Sequence, residues 1–302
     1  MPKRILVTGA IGFVGSLLCN TLKDRKDFKL ITTDQEGNVD FMGDLSTQEF
    51  VKALPDVDVV VHCAAVQYHS KNLPFFLRRK FFIKNNVLTT QNLIIRYSEQ
   101  NTHFVNIGSS MMYGSSDTPI KPLPENFNIN GIYSHSKILA FEEFASYLGP
   151  VTHLIPGVIA GKSRGGLFLK LNKIIRFLKI GIIGTNEFKI SIIHIGDFVN
   201  LIIKILEQDL PPKGILNASS QPSSVNDWVK EMAMQQDIDP LVIKLPNSFF
   251  SLVSIISARR LITKEQAKLL TSNNILDTNK THSIGWDANF NLKDIIRDVI
   301  SQ

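Results

Sequence analysis

The chain has 302 residues, of which 44% are hydrophobic and 20% are charged. These fractions are close to those of ordinary globular proteins, so they exclude a disordered chain, a coiled coil and a collagen. The length suggests two domains, or one large core with an appendage. Lys and Arg number 33 against 27 Asp and Glu, which gives a formal net charge of +6. This mild excess is compatible with nucleic acid or with an anionic small molecule.

Cysteine, histidine and apolar runs indicate the cellular setting. Cys19 and Cys63 lie in apolar surroundings, as expected of small core residues in a reducing compartment. The 7 histidines lack the spacing of a zinc site, so we expect no metal. The N-terminal apolar run is too short for a signal peptide, and the run at 249–258 is too short to cross a membrane. We therefore expect a cytoplasmic protein without an integral membrane segment.

Strand-like and helix-like segments alternate through the first half of the chain. Short apolar runs predict strands, and apolar residues at helical spacing predict helices. In chain order the predicted elements are a strand at 5–7, a helix at 13–22, strands at 29–33 and 57–63, a helix at 87–97, a strand at 103–107, a helix at 134–148 and a strand at 151–155. This alternation predicts an α/β fold with a doubly wound parallel Rossmann sheet and right-handed crossovers.

The pattern changes after residue 157. The sequence predicts a helix at 167–178, a turn between Gly181 and Gly184, a strand at 190–195, a helix at 198–206 and a strand at 214–218. We expect the remainder to be helical with loops, ending in a helix at 292–300. Residues 1–157 with about 190–219 would then form one domain. Residues from about 158 to 189 with 220–302 would form a smaller, interleaved and mostly helical one.

A glycine-rich segment follows the first predicted strand and opens the first predicted helix. Gly9, Gly12 and Gly15 have the spacing G-x-x-G-x-x-G. A dinucleotide pyrophosphate needs close approach to the backbone and binds at the N-terminus of a helix, so this context favours a phosphate loop. The alternative is a tight structural turn between strand and helix. The glycines alone do not decide between the two.

An acidic residue at the end of the second strand favours the cofactor interpretation. Asp34 follows Gly15 by 19 positions. A carboxylate there can accept hydrogen bonds from both ribose hydroxyls of NAD and would repel the 2′-phosphate of NADP. The alternative for Asp34 is an exposed loop residue. We expect NAD to be preferred over NADP.

Tyr133 and Lys137 stand four residues apart at the start of a predicted helix, and therefore on one helix face. A phenol has an unperturbed pKa of about 10, and a nearby ammonium lowers that pKa. Tyr133 would exchange a proton with a substrate hydroxyl or carbonyl, and Ser109, after the strand at 103–107, would bind the same oxygen. Lys137 can also hold the nicotinamide ribose. The spacing alone is common by chance, but its order after the glycines and the acid is informative.

With these motifs the sequence resembles the extended short-chain dehydrogenase/reductase superfamily, specifically its NAD-dependent epimerase/dehydratase family. The matches run in family order over nearly the whole chain. They are the glycine loop at 8–15, Asp34, G-D-L at 43–45, H-C-A-A at 62–65, N-V-x-x-T-x-N-L at 86–93, S-S-x-x-Y-G at 109–114, Y-x-x-x-K at 133–137, P-G at 156–157, H-x-x-D at 194–197, L-N-A-S at 216–219 and I-G-W at 284–286.

The resemblance implies a role for each matching position. Ser109, Tyr133 and Lys137 would be catalytic. The cofactor would contact Gly9, Gly12, Phe13, Val14, Gly15, Asp34, Asp44, Leu45, Ala64, Ala65, Asn86, Pro156 and Val158. Candidates for the substrate are Ser110, Met111, Lys189 and Arg259. The first domain would bind NAD and the second the substrate, and a homodimer would form through helices at 86–100 and 134–148.

The sequence also departs from the family pattern. Ile155 and Val158 stand where nucleotide-sugar enzymes usually carry an arginine and an asparagine. The diphosphate clamp is incomplete unless another cation substitutes, and the candidates are Lys162, Arg164, Lys189, Arg259 and Arg260. Ser110 and Met111 replace the Asp-Glu pair of dehydratases, which disfavours dehydration.

Three functions remain open from the sequence. The first is NAD-dependent epimerisation or oxidoreduction at a secondary alcohol, with a nucleotide sugar as the small-molecule substrate. The second is reduction or oxidation of an apolar ketone or alcohol, as in hydroxysteroid and flavonol-reductase relatives. The third is a non-catalytic cofactor-sensing protein, which the presence of both Tyr133 and Lys137 disfavours. No segment calls for a nucleic-acid surface.

Overall fold

The computed structural model describes residues 1–67, 73–162, 166–246, 248–249 and 263–301. Arg259, expected to bind the substrate, lies outside these residues, as do Arg164 and Arg260. The chain divides into two compact units. The first consists of Met1–Met112, Ile132–Ile155 and Val199–Leu216, and the second of Tyr113–Gly131, Pro156–Phe198 and Asn217–Gln302.

The described residues form strands and helices in alternation. The strands are β1 (Lys3–Thr8), β2 (Phe28–Asp34), β3 (Phe41–Met42), β4 (Val59–His62), β5 (His103–Ile107), β6 (Val151–Pro156), β7 (Val158–Ala160), β8 (Ile180–Gly184), β9 (Ile190–His194), β10 (Gly214–Ala218), β11 (Gln221–Ser223) and β12 (Leu241–Leu245). The α-helices are α1 (Phe13–Leu22), α2 (Gln48–Lys52), α3 (Phe75–Phe82), α4 (Thr89–Tyr97), α5 (Ile132–Glu142), α6 (Leu167–Lys173), α7 (Ile195–Leu206), α8 (Val225–Gln235), α9 (Lys264–Leu270), α10 (Asn279–His282) and α11 (Leu292–Ile300).

Shorter helical pieces complete these elements. A π-helical turn at Ile83–Leu88 joins α3 to α4, and another at Ile174–Leu178 continues α6. Turns of 3₁₀ helix occur at Ser110–Met112, Pro124–Asn126 and Glu143–Ser146. The helices expected at 87–97 and 167–178 are therefore each partly π-helical.

The seven-stranded sheet has the order β10-β6-β5-β4-β1-β2-β3. The pairs from β6 through β3 are parallel. The strand order reverses at β1, between its neighbours β2 and β4. β4 is buried along its whole length, as is typical of a sheet covered on both faces. Ligands of such sheets bind beyond the carboxyl ends of the strands at the reversal, which here are Thr8 and His62.

An aromatic cluster just after α5 anchors the C-terminal end of that helix to one face of this sheet. The Phe104 ring lies edge-on to Phe144 at 5.3 Å and to Tyr147 at 5.0 Å between centroids. The Tyr147 hydroxyl donates to the Thr102 carbonyl at 2.5 Å. Full burial of an aromatic side chain contributes about 1.5–3 kcal/mol, so this cluster holds α5 in place over β5.

The second unit contains two small sheets besides its helices. One has the order β11-β9-β7, and β12 pairs in parallel with β8 in the other. The turn expected between Gly181 and Gly184 is therefore wrong, because both glycines lie in β8. The partner strand is 61 positions away, too far for a local pattern to indicate the pairing. Gly181 is required there since a Cβ would lie 2.9 Å from Val229 Cγ1 of α8.

The boundaries of the two units differ from the expected domain boundaries. Segments 113–131 and 190–198 belong to the second unit, whereas the sequence pattern assigned both segments to the first. Within the described ranges no helix is long and apolar enough to cross a bilayer. The same ranges contain no cluster of three His, Cys, Asp or Glu side chains that could hold a metal ion.

Candidate active site

The glycine loop joins β1 to α1 with backbone packed against backbone. Gly9 has φ +66°, which favours glycine, and a Cβ on it would lie 2.7 Å from the Ala64 nitrogen. A Cβ on Gly15 would overlap the Gly9 carbonyl. Gly12 is the N-cap of α1, and the first turn, which begins Phe13-Val14-Gly15, carries no acidic residue. This cradle therefore fits the pyrophosphate of a dinucleotide at the positive end of the helix.

Asp34 ends β2 beside this loop. Its carboxylate accepts hydrogen bonds from the Ile11 nitrogen at 3.0 Å and from the Gln35 nitrogen at 2.7 Å. These bonds fix the half-buried side chain next to the glycine cradle. The contact of Asp34 with the ribose of the cofactor remains a prediction.

Asp44 lies near the same end of the sheet and is held by three polar partners. Lys84 Nζ lies 2.9 Å from its Oδ2, and Gln35 Nε2 donates to its Oδ1 at 3.4 Å. Burial acts to raise the pKa of Asp44, but hydrogen bonds from Lys84 and Ser46 outweigh it and leave that pKa below the usual value. The adjacent Leu45 is buried, and its carbonyl accepts from Asn92 Nδ2 at 2.9 Å.

The segment after β4 crosses the glycine loop. The Ala64 nitrogen donates to Thr8 Oγ1 at 3.2 Å, and the next residue, Ala65, is exposed. Asn86 pairs with the peptide of Val66, since its Oδ1 accepts from the Val66 nitrogen at 2.8 Å and its Nδ2 donates to the Val66 oxygen at 3.0 Å. Nδ2 also donates to Ser136 Oγ at 2.9 Å, so both amide hydrogens of Asn86 are used by protein acceptors.

Tyr133 and Lys137 lie on one face of α5, which packs against the turn Ser110–Met112. Lys137 Nζ donates to the Ile107 carbonyl at 2.7 Å, at the carboxyl end of β5. Ser109 follows two residues later, and its Oγ accepts from the Met111 nitrogen at 3.3 Å. The structure thus brings the three predicted catalytic residues to one strand end. Ser110 is buried and Met111 half-buried in the same turn.

Burial sets the charges around Lys137. It lowers the pKa of Lys137 to about 8, so the side chain is still mostly an ammonium at neutral pH. Burial, followed by the charge of Lys137, lowers the pKa of His62 to about 3. Burial raises the pKa of the Cys63 thiol to about 12. At neutral pH the ammonium therefore has uncharged neighbours in His62 and Cys63 and can stabilise a phenolate one helical turn away.

The second unit contains the other predicted residues. Pro156 ends β6 and Val158 begins β7, and the intervening Gly157 nitrogen donates to the Ala218 oxygen at 2.9 Å. Lys189 forms an ion pair with Asp227 at 2.9 Å, and both side chains are about 40% exposed. The charge of Lys189 therefore has a partner within its own unit.

Four residues that the structure places among these groups were not predicted from the sequence. Phe82 lies edge-on to Tyr133 with 6.1 Å between ring centroids. Thr8, Thr90 and Ser136 are buried and hydrogen bonded near the strand ends. A polar residue at the end of an apolar strand was the available signal for Thr8, whereas Thr90 and Ser136 have polar neighbours in the sequence and gave no such signal. For Phe82 there was none, because α3 itself was not predicted.

The chain belongs to the NAD dependent epimerase/dehydratase family, whose sequence model matches residues 5–219. It is 25% identical over 260 residues to a UDP-glucose 4-epimerase of Vibrio cholerae. The matched region covers 78% of this chain and 77% of that enzyme. It is 27% identical over 270 residues to a 3-beta-hydroxysteroid dehydrogenase of Mycolicibacterium neoaurum. That match covers 81% of this chain and 72% of the dehydrogenase. Family membership confirms the resemblance, the enzyme class and NAD as the cofactor.

Two further comparisons bear on length and fold. A trifunctional UDP-glucose 4,6-dehydratase, epimerase and reductase of Arabidopsis thaliana is 29% identical over 138 residues, and this chain spans only 20% of its length. The crystal structure of the Bordetella bronchiseptica enzyme WbmG with NAD and UDP superimposes with a TM-score of 0.79 at 18% identity, covering 100% of this chain and 94% of that one. The doubly wound α/β fold is thereby confirmed.

Proposed function

We propose that this protein is an NAD-dependent epimerase or oxidoreductase that acts on a secondary alcohol of a nucleotide sugar. The observation that carries the proposal is the placement of Lys137. Its ammonium is buried one helical turn from Tyr133, and its acceptor, the Ile107 carbonyl at the end of β5, lies two residues before Ser109. A buried cation beside a phenol is an arrangement that lowers the phenol pKa and serves proton transfer.

Each side chain has a separate task in this reaction. The Ser109 hydroxyl binds the substrate oxygen, and the Tyr133 phenolate accepts the hydroxyl proton from it. The Lys137 ammonium stabilises the phenolate, while the Ile107 carbonyl fixes the ammonium in place. The glycine cradle and Asp34 would hold NAD, which would supply the hydride acceptor. Ser110 and Met111 offer no carboxylate, so the proposal excludes dehydration.

The nucleotide-sugar part of the proposal is supported by relatives. The Vibrio cholerae enzyme is named for UDP-glucose, and the Bordetella structure contains UDP. A second candidate is oxidoreduction of an apolar alcohol, favoured by Ile155 and Val158 in place of the usual arginine and asparagine. The pairing of Lys189 with Asp227 also favours it, as does the similarity to a hydroxysteroid dehydrogenase.

A substrate screen separates the two candidates. Purified protein with NAD is offered UDP-sugars in one arm and hydroxysteroids in the other, and products are identified by mass spectrometry. We expect conversion of a UDP-sugar, without accumulation of free NADH for an epimerase and with it for an oxidoreductase. Conversion of hydroxysteroids alone would establish the second candidate instead.

Tyr133→Phe tests the catalytic assignment. We expect normal NAD binding and a loss of turnover of about 10² or more. The matched control is Tyr147→Phe, which removes a phenol that follows the 3₁₀ turn after α5 and donates to the carbonyl of Thr102, the residue before β5. Equal turnover in the two variants would refute the role of Tyr133.

We also propose a homodimer through the helices at 86–100 and 134–148. The support is apolar exposure, since Ile95 is 53% and Leu148 97% exposed. Sedimentation equilibrium should give twice the chain mass, and Ile95→Glu should give the monomer. A monomer in the unmodified protein would contradict this proposal.

A further inference from the structure

A series of buried hydrogen bonds runs from the end of β1 to the first turn of α5. His62, the last residue of β4, lies at its centre. His62 Nδ1 is 2.8 Å from Thr8 Oγ1, and Nε2 is 3.0 Å from Thr90 Oγ1. All three side chains are at most 3% exposed, so water does not compete for these contacts.

The neighbouring groups determine which nitrogen of His62 carries the proton. The Thr90 hydroxyl donates its hydrogen to the Asn86 carbonyl at 2.8 Å, so towards His62 its oxygen acts as an acceptor. Nε2 must therefore be the N–H. Because the imidazole is neutral, Nδ1 is an acceptor and takes the hydroxyl hydrogen of Thr8. The Thr8 oxygen in turn accepts from the Ala64 nitrogen at 3.2 Å.

At Asn86 the series passes from the main-chain carbonyl, which accepts from Thr90, to the side-chain amide, and from there to the catalytic helix. Asn86 Nδ2 donates to Ser136 Oγ at 2.9 Å, and the Ser136 hydroxyl donates to the Tyr133 carbonyl at 2.7 Å. Each N–H and O–H hydrogen along this path has one acceptor, Asn86 Nδ2 using its second hydrogen for the Val66 oxygen, and each side chain is buried. The strand end that precedes the glycine cradle and the turn that carries Tyr133 are thus joined by directed bonds rather than by packing alone.

We propose that His62 is a positioning residue: as a neutral imidazole with its proton on Nε2, it holds the cofactor loop and the Tyr133 helix in register for hydride and proton transfer. The effect of this positioning on kcat rests on the proposed function. The structural content of the proposal, one tautomer and one continuous series of bonds, does not depend on the substrate.

Thr90→Val and Thr89→Val form a matched pair that tests the proposal. Both threonines are buried in α4 and donate to the carbonyl four residues earlier, Thr89 to Asn85 at 2.9 Å. Of the two, Thr90 is the one that accepts from His62. In NMR spectra of the protein with ¹⁵N-labelled histidine, we expect the Nε2–H tautomer of His62 in wild type and Thr89→Val. Backbone hydrogen exchange of 132–142 should be about fivefold faster in Thr90→Val than in Thr89→Val.

The kinetic part uses a split between kcat and KM. Thr90→Val should lower kcat about tenfold with KM for the nucleotide sugar within about twofold, because misplacement affects the reacting geometry more than ground-state binding. Thr90→Ser, which keeps the hydroxyl, should restore kcat, and Thr89→Val should match wild type.

The Nδ1–H tautomer, or equal exchange in the two valine variants, would overturn the series of bonds itself. Equal kcat in the two valine variants would overturn the positioning role. Failure of the wild type to convert any sugar or steroid would instead refute the proposed function, and exchange and NMR would still decide the series of bonds.

Discussion

Replacement of Lys137 by Met should change the pH dependence of stability in a direction that the structure fixes. Lys137 is 7% exposed, and burial lowers its pKa from 10.5 to about 8. Between these two values the unfolded chain binds the proton and the folded chain does not. Stability due to this group therefore rises with pH from about 8 to 10.5, and below 8 the buried ammonium destabilises the fold. Lys137→Met removes this dependence while keeping side-chain length.

The magnitude follows from the pKa difference. About 2.5 pKa units at about 1.36 kcal/mol each correspond to a cost of about 3 kcal/mol at neutral pH. By pH 10 most of this cost is relieved. The free energy of unfolding of wild type minus that of Lys137→Met should thus increase by about 2–3 kcal/mol between pH 7 and pH 10. Titrating groups that do not interact with Lys137 contribute equally to both proteins and cancel in the difference.

Urea unfolding at pH 7, 8, 9 and 10 measures this difference. Lys80→Met is the control, because Lys80 is exposed. The difference in free energy of unfolding between wild type and Lys80→Met should not change with pH. A difference for Lys137→Met that stays constant over this range, or that falls with pH, would refute the assignment of a costly buried ammonium. Lys137→Met should also lose turnover. The buried ammonium would then destabilise the fold and at the same time support proton transfer.

Two further predictions concern the cofactor. Gly9→Ala places a Cβ 2.7 Å from the Ala64 nitrogen at φ +66°, so we expect a loss of NAD affinity of at least about tenfold in a fluorescence titration. Gly114→Ala, whose Cβ would meet its nearest neighbour at 3.5 Å, should bind normally, and equal affinities would contradict the cradle. Wild type should bind NAD more tightly than NADP. Asp34→Asn should bring the two dissociation constants closer together, because it removes the charge that repels a 2′-phosphate. Tighter binding of NADP by wild type would show that Asp34 has been misassigned.

The sequence predicted those parts of the fold whose signals are local. The strand at 103–107, the helix at 13–22 and the strand at 214–218 have the bounds expected, because apolar periodicity and glycines mark them within one window. β8 and β12 were missed since each is defined by its partner 61 positions away. Helix α3 was missed because its apolar residues do not form one buried stripe: Phe76 is exposed, and the basic run at 78–80 interrupts the apolar residues.

The candidate site divides in the same way. Spacing alone placed Tyr133 and Lys137 on one helix face, and chain order placed Ser109 nearby. Lys189 was selected as the cation before the H-x-x-D strand, where the family commonly carries an arginine. Its partner Asp227 is 38 positions away in the sequence, so the ion pair could not be foreseen. Asn86 was selected by its motif as a cofactor contact, which remains a prediction. The structure adds that both of its amide hydrogens already have protein acceptors.

The positions of buried polar residues explain why this edge of the sheet is the functional one. β1 and β4 are apolar along their buried length until their last residues, Thr8 and His62, where the side chain becomes polar but stays at most 3% exposed. A buried polar group destabilises a fold unless it is hydrogen bonded, so each requires a partner at the same edge. Thr90 provides one, and Lys137 meets the Ile107 carbonyl at the neighbouring strand end. A polar residue that terminates an otherwise apolar buried strand is therefore a signal for a reactive edge, and the sequence alone carries that signal at Thr8 and His62.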